Sequence, residues 1–375
     1  MTGSGHDLAV LLDAQSCTPA TGGPLTPRWV APRSIDQAAA VMRAATDNDK
    51  RVLIWGGGTH QGHGYPIEAD IVLSTHRLSE VVDWQPDDLT VVVEAGVKVA
   101  DLEAMLAERG QTAVLPEATD GATVGGTIAA GVSGWRRLRY GPTRDRVLET
   151  VMATGDGRLV RAGGPLVKNV TGYDVARLVT GSYGSLGVIG QVCLKLWPTG
   201  VRFAAVPVAD ADAAWRAAFR PLAVIETETR SVAYFAGTSQ EVDAQAEALG
   251  GEAVDDPRWP RPLDSPWRLV IRVPARLTGD AVSRVQRITG ARYRAAHGVG
   301  EVVVGVVQLP EEWLDETRAW AESSDGALVI THRPLGTNGP DPWGTPPASL
   351  SLQRRVKAAF DPVGISNPGR LPGRL

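Results

Sequence analysis

Two glycine-dense stretches set the chemistry this chain can do: GGGTHQGHG (Gly56 to Gly64) and GATVGGTIAAGVSG (Gly121 to Gly134). Three successive glycines after a strand-like run let the backbone take positive φ and bring several N–H groups to bear on one anion. The second stretch passes from a loop into small residues, Thr127 to Gly134, that can open a helix. The first N–H groups of such a helix offer a second anion site. One loop of this kind is a weak signal, because a structural turn is the commoner meaning of Gly56 to Gly58 alone. Two in this order point to a diphosphate held from both sides, and so to a dinucleotide. Neither stretch is G-x-G-x-x-G opening a helix, and neither carries the Gly-Lys-Ser/Thr of a P-loop. A βαβ dinucleotide fold is therefore not expected.

The elements that must hold these loops lie on either side of them. Ser34-Ile-Asp-Gln37 fits a capping box, after which Ala38, Val41, Met42 and Ala45 mark one helical face. Val52 to Trp55, Ile71 to Leu73, Val81 to Trp84 and Thr90 to Glu94 read as short strands, and Lys98 to Arg109 as a helix stopped by Gly110. Val147 to Thr154 and Arg158 to Arg161, joined by Gly155-Asp-Gly157, read as a hairpin, and Leu186 to Leu196 as a strand ended by Pro198. From about residue 201 the texture changes. Strand-like runs at 203–208, 231–235, 269–273, 302–307 and 327–331 alternate with helical runs at 211–219, 240–249, 280–288 and 311–322. That alternation suits a small α+β domain of two related β-α-β units. The expected organisation is α+β: a segment 1–27, a loop-bearing domain 28–200, a smaller domain 201–345 and a tail 346–375.

Composition narrows the partners. At 375 residues, with 43% hydrophobic and 21% charged residues, the chain can bury the cores of two domains. A formal net charge of −4 argues against nucleic acid or an acidic membrane face as partner. No apolar run approaches a bilayer-spanning length, and the N-terminus lacks the basic region and apolar core of a signal peptide, so cytoplasmic residence is expected. Cys17 and Cys193 are the only cysteines, which excludes a disulfide framework or an iron–sulfur or zinc site built from this chain alone. Cys193 lies in an apolar run and reads as a buried thiol, and the histidines show no metal spacing. Redox chemistry here would need an organic cofactor.

A third element, Gly164 to Leu196, places glycines at 172, 181, 184 and 187 around a helix-like run from Tyr173 to Val179. Taken in order, GGGTH, DGATVGGTIAAGVSG, RYGPTRDRVLET and VKNVTGYDVARLVTGSYGSLGVIG resemble the FAD-binding domain of the vanillyl-alcohol oxidase (PCMH-type) flavoprotein family. Within it they are most similar to the FAD-binding E-type subunits of bacterial glycolate oxidases. The tail RRVKAAFDPVGISNPGRL resembles that family's C-terminal signature.

The resemblance implies a PCMH-type FAD-binding domain of two α/β subdomains with a smaller α+β cap domain. It places the pyrophosphate on Gly56, Gly57, Gly58, Thr59 and His60, with Asp120, Gly121, Thr123, Val124, Gly125 and Gly126 on its other side. Gly134 would meet the flavin region, Ser185, Val188 and Ile189 the adenine and ribose, and Asn367 and Arg370 the isoalloxazine side. Arg137, Arg144, Lys168 and Arg370 are candidates for a cation at the flavin's pyrimidine edge. Thr59 stands where relatives with covalent flavin carry a histidine, so the FAD is expected to be non-covalent. A histidine-rich cap segment found in catalytic relatives is absent, and Ala296-His297-Gly-Val-Gly-Glu301 is the nearest stretch. His297, and less so His332, are the catalytic candidates, with Arg292 and Arg294 near His297. The implied function is oxidation of glycolate, a small 2-hydroxy acid, to glyoxylate in a complex with a D-type FAD-binding catalytic subunit and an iron–sulfur F-type subunit, peripheral to the inner membrane face through those partners. Two other readings stay open: a self-sufficient dehydrogenase of a small hydroxy acid or alcohol, and a non-catalytic scaffold. The basic run Arg136-Arg137-Leu138-Arg139 is a candidate docking site for a partner subunit.

Overall fold

The computed structural model describes residues 8–18, 28–117, 120–164, 174–334 and 339–375. Lys168, Gly172 and Tyr173, singled out above, lie outside the described residues. The chain opens with α1 (Leu8–Ala14), β1 (Arg28–Val30), α2 (Ile35–Asp47), β2 (Val52–Trp55) and β3 (Ile71–Ser74), whose strands form a parallel sheet in the order β1-β3-β2. The Ser34 hydroxyl caps α2 by accepting the Gln37 N–H at 3.2 Å, while the Gln37 side chain accepts from Arg33 N–H rather than closing back on Ser34. The apolar face expected for α2 is buried, with Ala38, Val41, Met42 and Ala45 packed on Val52, Ile71 and Leu73. Each of the larger side chains contributes about 1.5–3 kcal/mol by leaving water.

Next come β4 (Val81–Gln85), β5 (Thr90–Glu94), α3 (Val99–Ala107), β6 (Gln111–Thr112), α4 (Val124–Ala130), α5 (Arg137–Tyr140), β7 (Val147–Thr154), β8 (Leu159–Gly163), α6 (Val175–Val179), β9 (Gly187–Lys195) and β10 (Trp197–Pro198). They build an antiparallel sheet ordered β4-β5-β9-β7-β8. Cys193 is buried in it, as expected. Helix α4 begins three residues earlier than the small-residue pattern suggested. Its N-cap is Thr123, whose hydroxyl accepts the Gly126 N–H, and Gly131 at φ +65° ends it. Val124 and Gly125 thus belong to its first turn.

The third sheet is an eight-stranded antiparallel one: β11 (Arg202–Val208), β12 (Ala223–Thr227), β13 (Ser231–Gly237), β14 (Val254–Asp255), β15 (Trp267–Arg272), β16 (Arg292–His297), β17 (Glu301–Val306) and β18 (Ala327–His332). Its order is β14-β11-β13-β12-β16-β17-β15-β18. With α7 (Ala211–Ala217), α8 (Ser239–Ala248), α9 (Thr278–Gln286) and α10 (Glu311–Ser323), it consists of two β-α-β-β-α-β units joined edge to edge through β12 and β16. Beyond the five strand-like runs foreseen from the sequence, the first unit adds β12 and β14 and the second adds β16. The helices cover one face, where Leu269, Ile271, Tyr293, Ala295, Val302 and Val304 pack. By the period-two alternation of strands, Arg268, Arg272, Glu301 and Thr331 lie on the other face.

The basic run is half-buried and partly engaged within the chain. Arg136 bonds Glu117, Thr112 and the Leu115 carbonyl. Arg137 lies 3.9 Å from Glu301, and Arg139 donates to the Ala236 carbonyl at 2.9 Å, so these two reach the eight-stranded sheet.

The chain closes with α11 (Leu350–Phe360) and a tail that returns beside β2. Lys357 anchors that return. Its buried ammonium donates to Asp361 at 2.6 Å and to the carbonyls of Ser185 and Ser366 at 2.7 and 3.0 Å. The Asp361 carboxylate also accepts the N–H groups of Gly364, Ile365 and Ser366, which folds the loop that presents Asn367 and Arg370.

Candidate functional site

A cleft of about 630 Å³ runs between the first two sheets. Of the residues expected to meet a cofactor, Gly56, Gly57, Gly58, Thr59, His60, Gly125, Gly126, Ile189, Asn367 and Arg370 line it. The first glycine loop meets the requirement for an anion site. Among the described residues, the amides of Gly56 to His60 donate to no protein acceptor, five in succession. Such a row of free amides, half-buried and open on the cleft, is what a diphosphate needs. Gly58 is the member with left-handed backbone, at φ +77°. Gly56 and Gly57 are glycines for a different reason: a Cβ on Gly57 would stand 1.8 Å from the Gly121 carbonyl oxygen, and one on Gly56 would stand 2.6 Å from Thr123 Oγ1. The two glycine loops are pressed together.

The second loop departs from expectation. The N–H groups of Val124 and Gly125, at the start of α4, donate to the carbonyls of Val97 and Ala95 at 2.9 and 2.8 Å. The helix start therefore contributes close backbone approach rather than free donors. Val124 itself is buried in the core. Gly121 and Thr123 join Gly56 and Gly57 in an adjoining open depression of about 1130 Å³, and Asp120 is exposed beside Gly121. Gly134 packs against Pro116 and Glu117 and does not line the cleft. Ser185 and Val188 turn away from it as well: Ser185 gives its carbonyl to Lys357, and Val188 packs beneath α2. Gly184 and Gly187 line the cleft in their place.

Beyond the cleft, and sharing Ala130 and Tyr183 with it, lies an annex of about 280 Å³ closed by the eight-stranded sheet. His63, Tyr183 and Trp343 form one side, with Arg272, Val329 and Thr331 on the other. Arg272 lines the annex with half of its side chain exposed, and Glu301 accepts from its Nε at 2.9 Å. Arg370 is buried and donates to the carbonyls of Gln61 and His63, both at 2.8 Å, and to the Gln61 side chain. It has no carboxylate partner, and burial draws its pKa down to about 10, still cationic at neutral pH. Burial, aided by neighbouring arginines, lowers the His60 pKa to about 4 and that of His63 well below its usual value. Both rings are therefore neutral near pH 7. The result is a cationic pocket with neutral imidazoles at hand. The Trp343 indole donates to the Arg370 carbonyl at 3.0 Å, Tyr65 bonds Asp341, and Arg333 donates to Gly64 at 3.2 Å, closing the annex from the cap side.

His297 is not brought to this site. It ends β16 on the helix-covered face, 2% exposed, with Nε2 at 2.8 Å from Glu226. Arg292 and Arg294 are tied to Glu228. The expectation for His297 is corrected accordingly: the imidazole that lines the annex, beside Arg272, is that of His63 in the first glycine loop. Arg144 pairs with Asp145 and Arg137 with Glu301, so Arg370 alone of the described cation candidates lines the cleft. Tyr183 went unread, although an aromatic inside GSYGSLG at φ +52° is the sort of interruption that marks a site.

Comparison with known proteins accords with this geometry. Residues 27–163 match the profile of a family described as an FAD binding domain. The chain is 26% identical to glycolate oxidase subunit GlcE of Escherichia coli, over 92% of this chain and 99% of that protein. It is 34% identical to D-lactate dehydrogenase of Archaeoglobus fulgidus, over 45% of this chain but only 38% of that enzyme. Among solved structures, the carbohydrate oxidase of Microdochium nivale superposes with a TM-score of 0.69 at 13% identity, covering 96% of this chain and 97% of that one, which speaks for the fold alone. Among the described residues no helix is long and apolar enough to cross a membrane.

Proposed function

From the premise that this chain is an FAD-dependent oxidoreductase with a PCMH-type FAD-binding domain, we propose that it is the FAD-binding subunit of a multi-subunit glycolate oxidase. In this reading it oxidises glycolate to glyoxylate and passes the electrons to a second FAD-binding subunit and an iron–sulfur subunit. The proposal takes its assembly from the near full-length likeness to GlcE. The observation that carries the chemistry is the annex. It is narrow, and Arg272 on its wall, with the buried Arg370 nearby, favours an anion. A two- or three-carbon hydroxy acid meets both conditions.

FAD would be held non-covalently in the cleft, the amides of Gly56 to His60 serving its diphosphate and Asn367, Arg370 and Tyr183 its flavin end. Bound there, it supplies a two-electron acceptor for oxidation of a C–H bond. Arg272 holds the substrate carboxylate by charge-assisted hydrogen bonds. Arg370 fixes the first loop and adds positive charge at the flavin end, which favours electron acceptance. The Nδ1 atom of His60 is engaged by the Thr59 hydroxyl at 2.9 Å, in keeping with a flavin that acid releases intact.

The annex is complete within this chain, which favours as second reading a dehydrogenase that needs no partner. Purification from the native host separates the two. Co-purification of a second flavoprotein and an iron–sulfur protein, with dye reduction by glycolate only in their company, is the expected result. A solitary chain that reduces dye with glycolate overturns the subunit reading.

A further inference from the structure

Tyr183 is the polar side chain that lines both the cleft and the annex, so it stands where a substrate carbon and a cofactor must meet. Everything around it holds the ring without using the hydroxyl. Its N–H donates to the Ala129 carbonyl at 2.7 Å, its carbonyl accepts from Asn367, and its ring meets Trp343 edge-on at 5.5 Å between centroids. The left-handed backbone, costly for a bulky residue, is kept by these contacts. Among the described residues the hydroxyl has one hydrogen-bond partner, His63 Nδ1 at 3.3 Å. His63 is placed in turn by its N–H to the His60 carbonyl and by its own carbonyl, which accepts from Arg370.

We propose that Tyr183 is the catalytic proton acceptor of the annex and that His63 is its relay partner. This inference rests on the reading that a small 2-hydroxy acid is oxidised in this chain's own site. The substrate hydroxyl passes its proton to Tyr183 Oη as the tyrosine's own proton moves to His63 Nδ1, which requires the Nε2–H tautomer of His63. The α C–H bond breaks with its electron pair going to the bound two-electron acceptor, FAD. The carbonyl forms, and 2-hydroxy acid plus oxidised acceptor become 2-oxo acid plus reduced acceptor. Tyr183, His60, Arg268, Arg272 and Arg370 act on His63, and the nearest carboxylate among the partners of these groups, Glu301, is engaged by Arg272 at 2.9 Å. Imidazolium is therefore short-lived there, and the proton leaves to solvent with the product. Burial keeps Tyr183 a phenol in the resting site, which is why it needs a partner to take its proton.

The test uses the flavin-loaded protein with its partners, Tyr183→Phe and His63→Gln, and oxalate as the unreactive anion. Calorimetry in buffers of different ionisation enthalpy reads oxalate affinity and proton uptake, and stopped-flow absorbance reads flavin reduction by glycolate. Oxalate affinity is expected to stay within threefold in Tyr183→Phe while flavin reduction slows by about 10²–10⁴-fold, the usual worth of a positioned acid–base group. In His63→Gln, the proton uptake that accompanies oxalate binding at pH 6 in the wild type is expected to vanish, a change that a merely structural residue would not cause. Tyr183→Phe reducing its flavin at the wild-type rate overturns the proposal. Should that variant lose its flavin, His63→Gln with unchanged proton uptake overturns it equally. Failure of the wild-type protein to bind oxalate at all sinks the anion-pocket reading instead, so the two failures are distinguishable.

Discussion

Replacing Gly57 with alanine adds one carbon atom at the point where the two glycine loops touch. Its Cβ would lie 1.8 Å from the Gly121 carbonyl oxygen and 2.7 Å from the carbonyl carbon. Both atoms are backbone and cannot rotate aside, so the loops must part by at least 1.2 Å, the difference between 1.8 Å and the 3.0 Å that real Cβ atoms respect. Overpacking of one methyl typically costs about 1–3 kcal/mol. Displacing the loop also misaligns the amides of Gly56 to His60, which donate to no protein acceptor among the described residues. If the cost falls on the cofactor-binding geometry, FAD affinity drops by about 5- to 150-fold. The control is Gly279→Ala in α9, where a Cβ meets nothing within 4 Å and the backbone is helical; it is expected to stabilise by about 0.5–1 kcal/mol. The assay is FAD per chain after desalting, with affinity from fluorescence quenching on reconstitution. Gly57→Ala retaining FAD as tightly as Gly279→Ala would show that the loops are not pressed together as described, and that the cofactor does not depend on their contact.

Lys357→Met leaves the Asp361 carboxylate buried without its cation, and is expected to destabilise the protein by about 3–5 kcal/mol. Lys357→Met with Asp361→Leu should recover part of that loss, as read by thermal unfolding with flavin release. His60 gives a pH signature in the flavin-free protein. Its folded pKa is about 4 against about 6.5 unfolded, so the unfolded chain takes the proton first. Stability is therefore full above pH 6.5 and falls as pH drops toward 4, by up to about 3 kcal/mol at 1.36 kcal/mol per unit. His60→Gln should flatten that slope in urea titrations run between pH 4 and 7. Arg272→Met removes the carboxylate's partner and should raise the KM for glycolate by about 10- to 100-fold, the loss of one or two charge-assisted hydrogen bonds; an unchanged KM places the substrate elsewhere.

Much of the scaffold was legible because it obeys local rules. Strands β2, β5 and β7 have the expected bounds and α2 has its cap and apolar face, while α3 ends at Ala107, two residues short of the expected Arg109, with Gly110 at φ +63° in the turn that follows. What escaped depends on partners distant in the chain. Strands β12 and β16 were missed: β12 is five residues long, and β16 reads RYRAAH, whose polar residues find Glu226 and Glu228 only once the sheet assembles. The annex was illegible for the same reason, since it draws on residues 63, 183, 272 and 343, each unremarkable alone. His297 drew attention through a motif fragment, yet strand alternation turns it to the helix-covered side, away from Arg294. The first glycine loop lines the cleft, but positive φ explains only part of its composition. Of its three leading glycines only Gly58 needs positive φ, and the other two answer to the opposite loop.

The account stands or falls on what glycolate does to the flavin. The complex isolated with this chain should show oxidised-flavin absorbance, with FAD released by acid, and anaerobic addition of glycolate should bleach the band that belongs to this subunit. Arg272→Met should restrict that bleaching to high glycolate concentrations. A flavin in this chain that stays oxidised under glycolate and D-lactate alike, while its partners turn over, would contradict the claim that the annex oxidises a small 2-hydroxy acid.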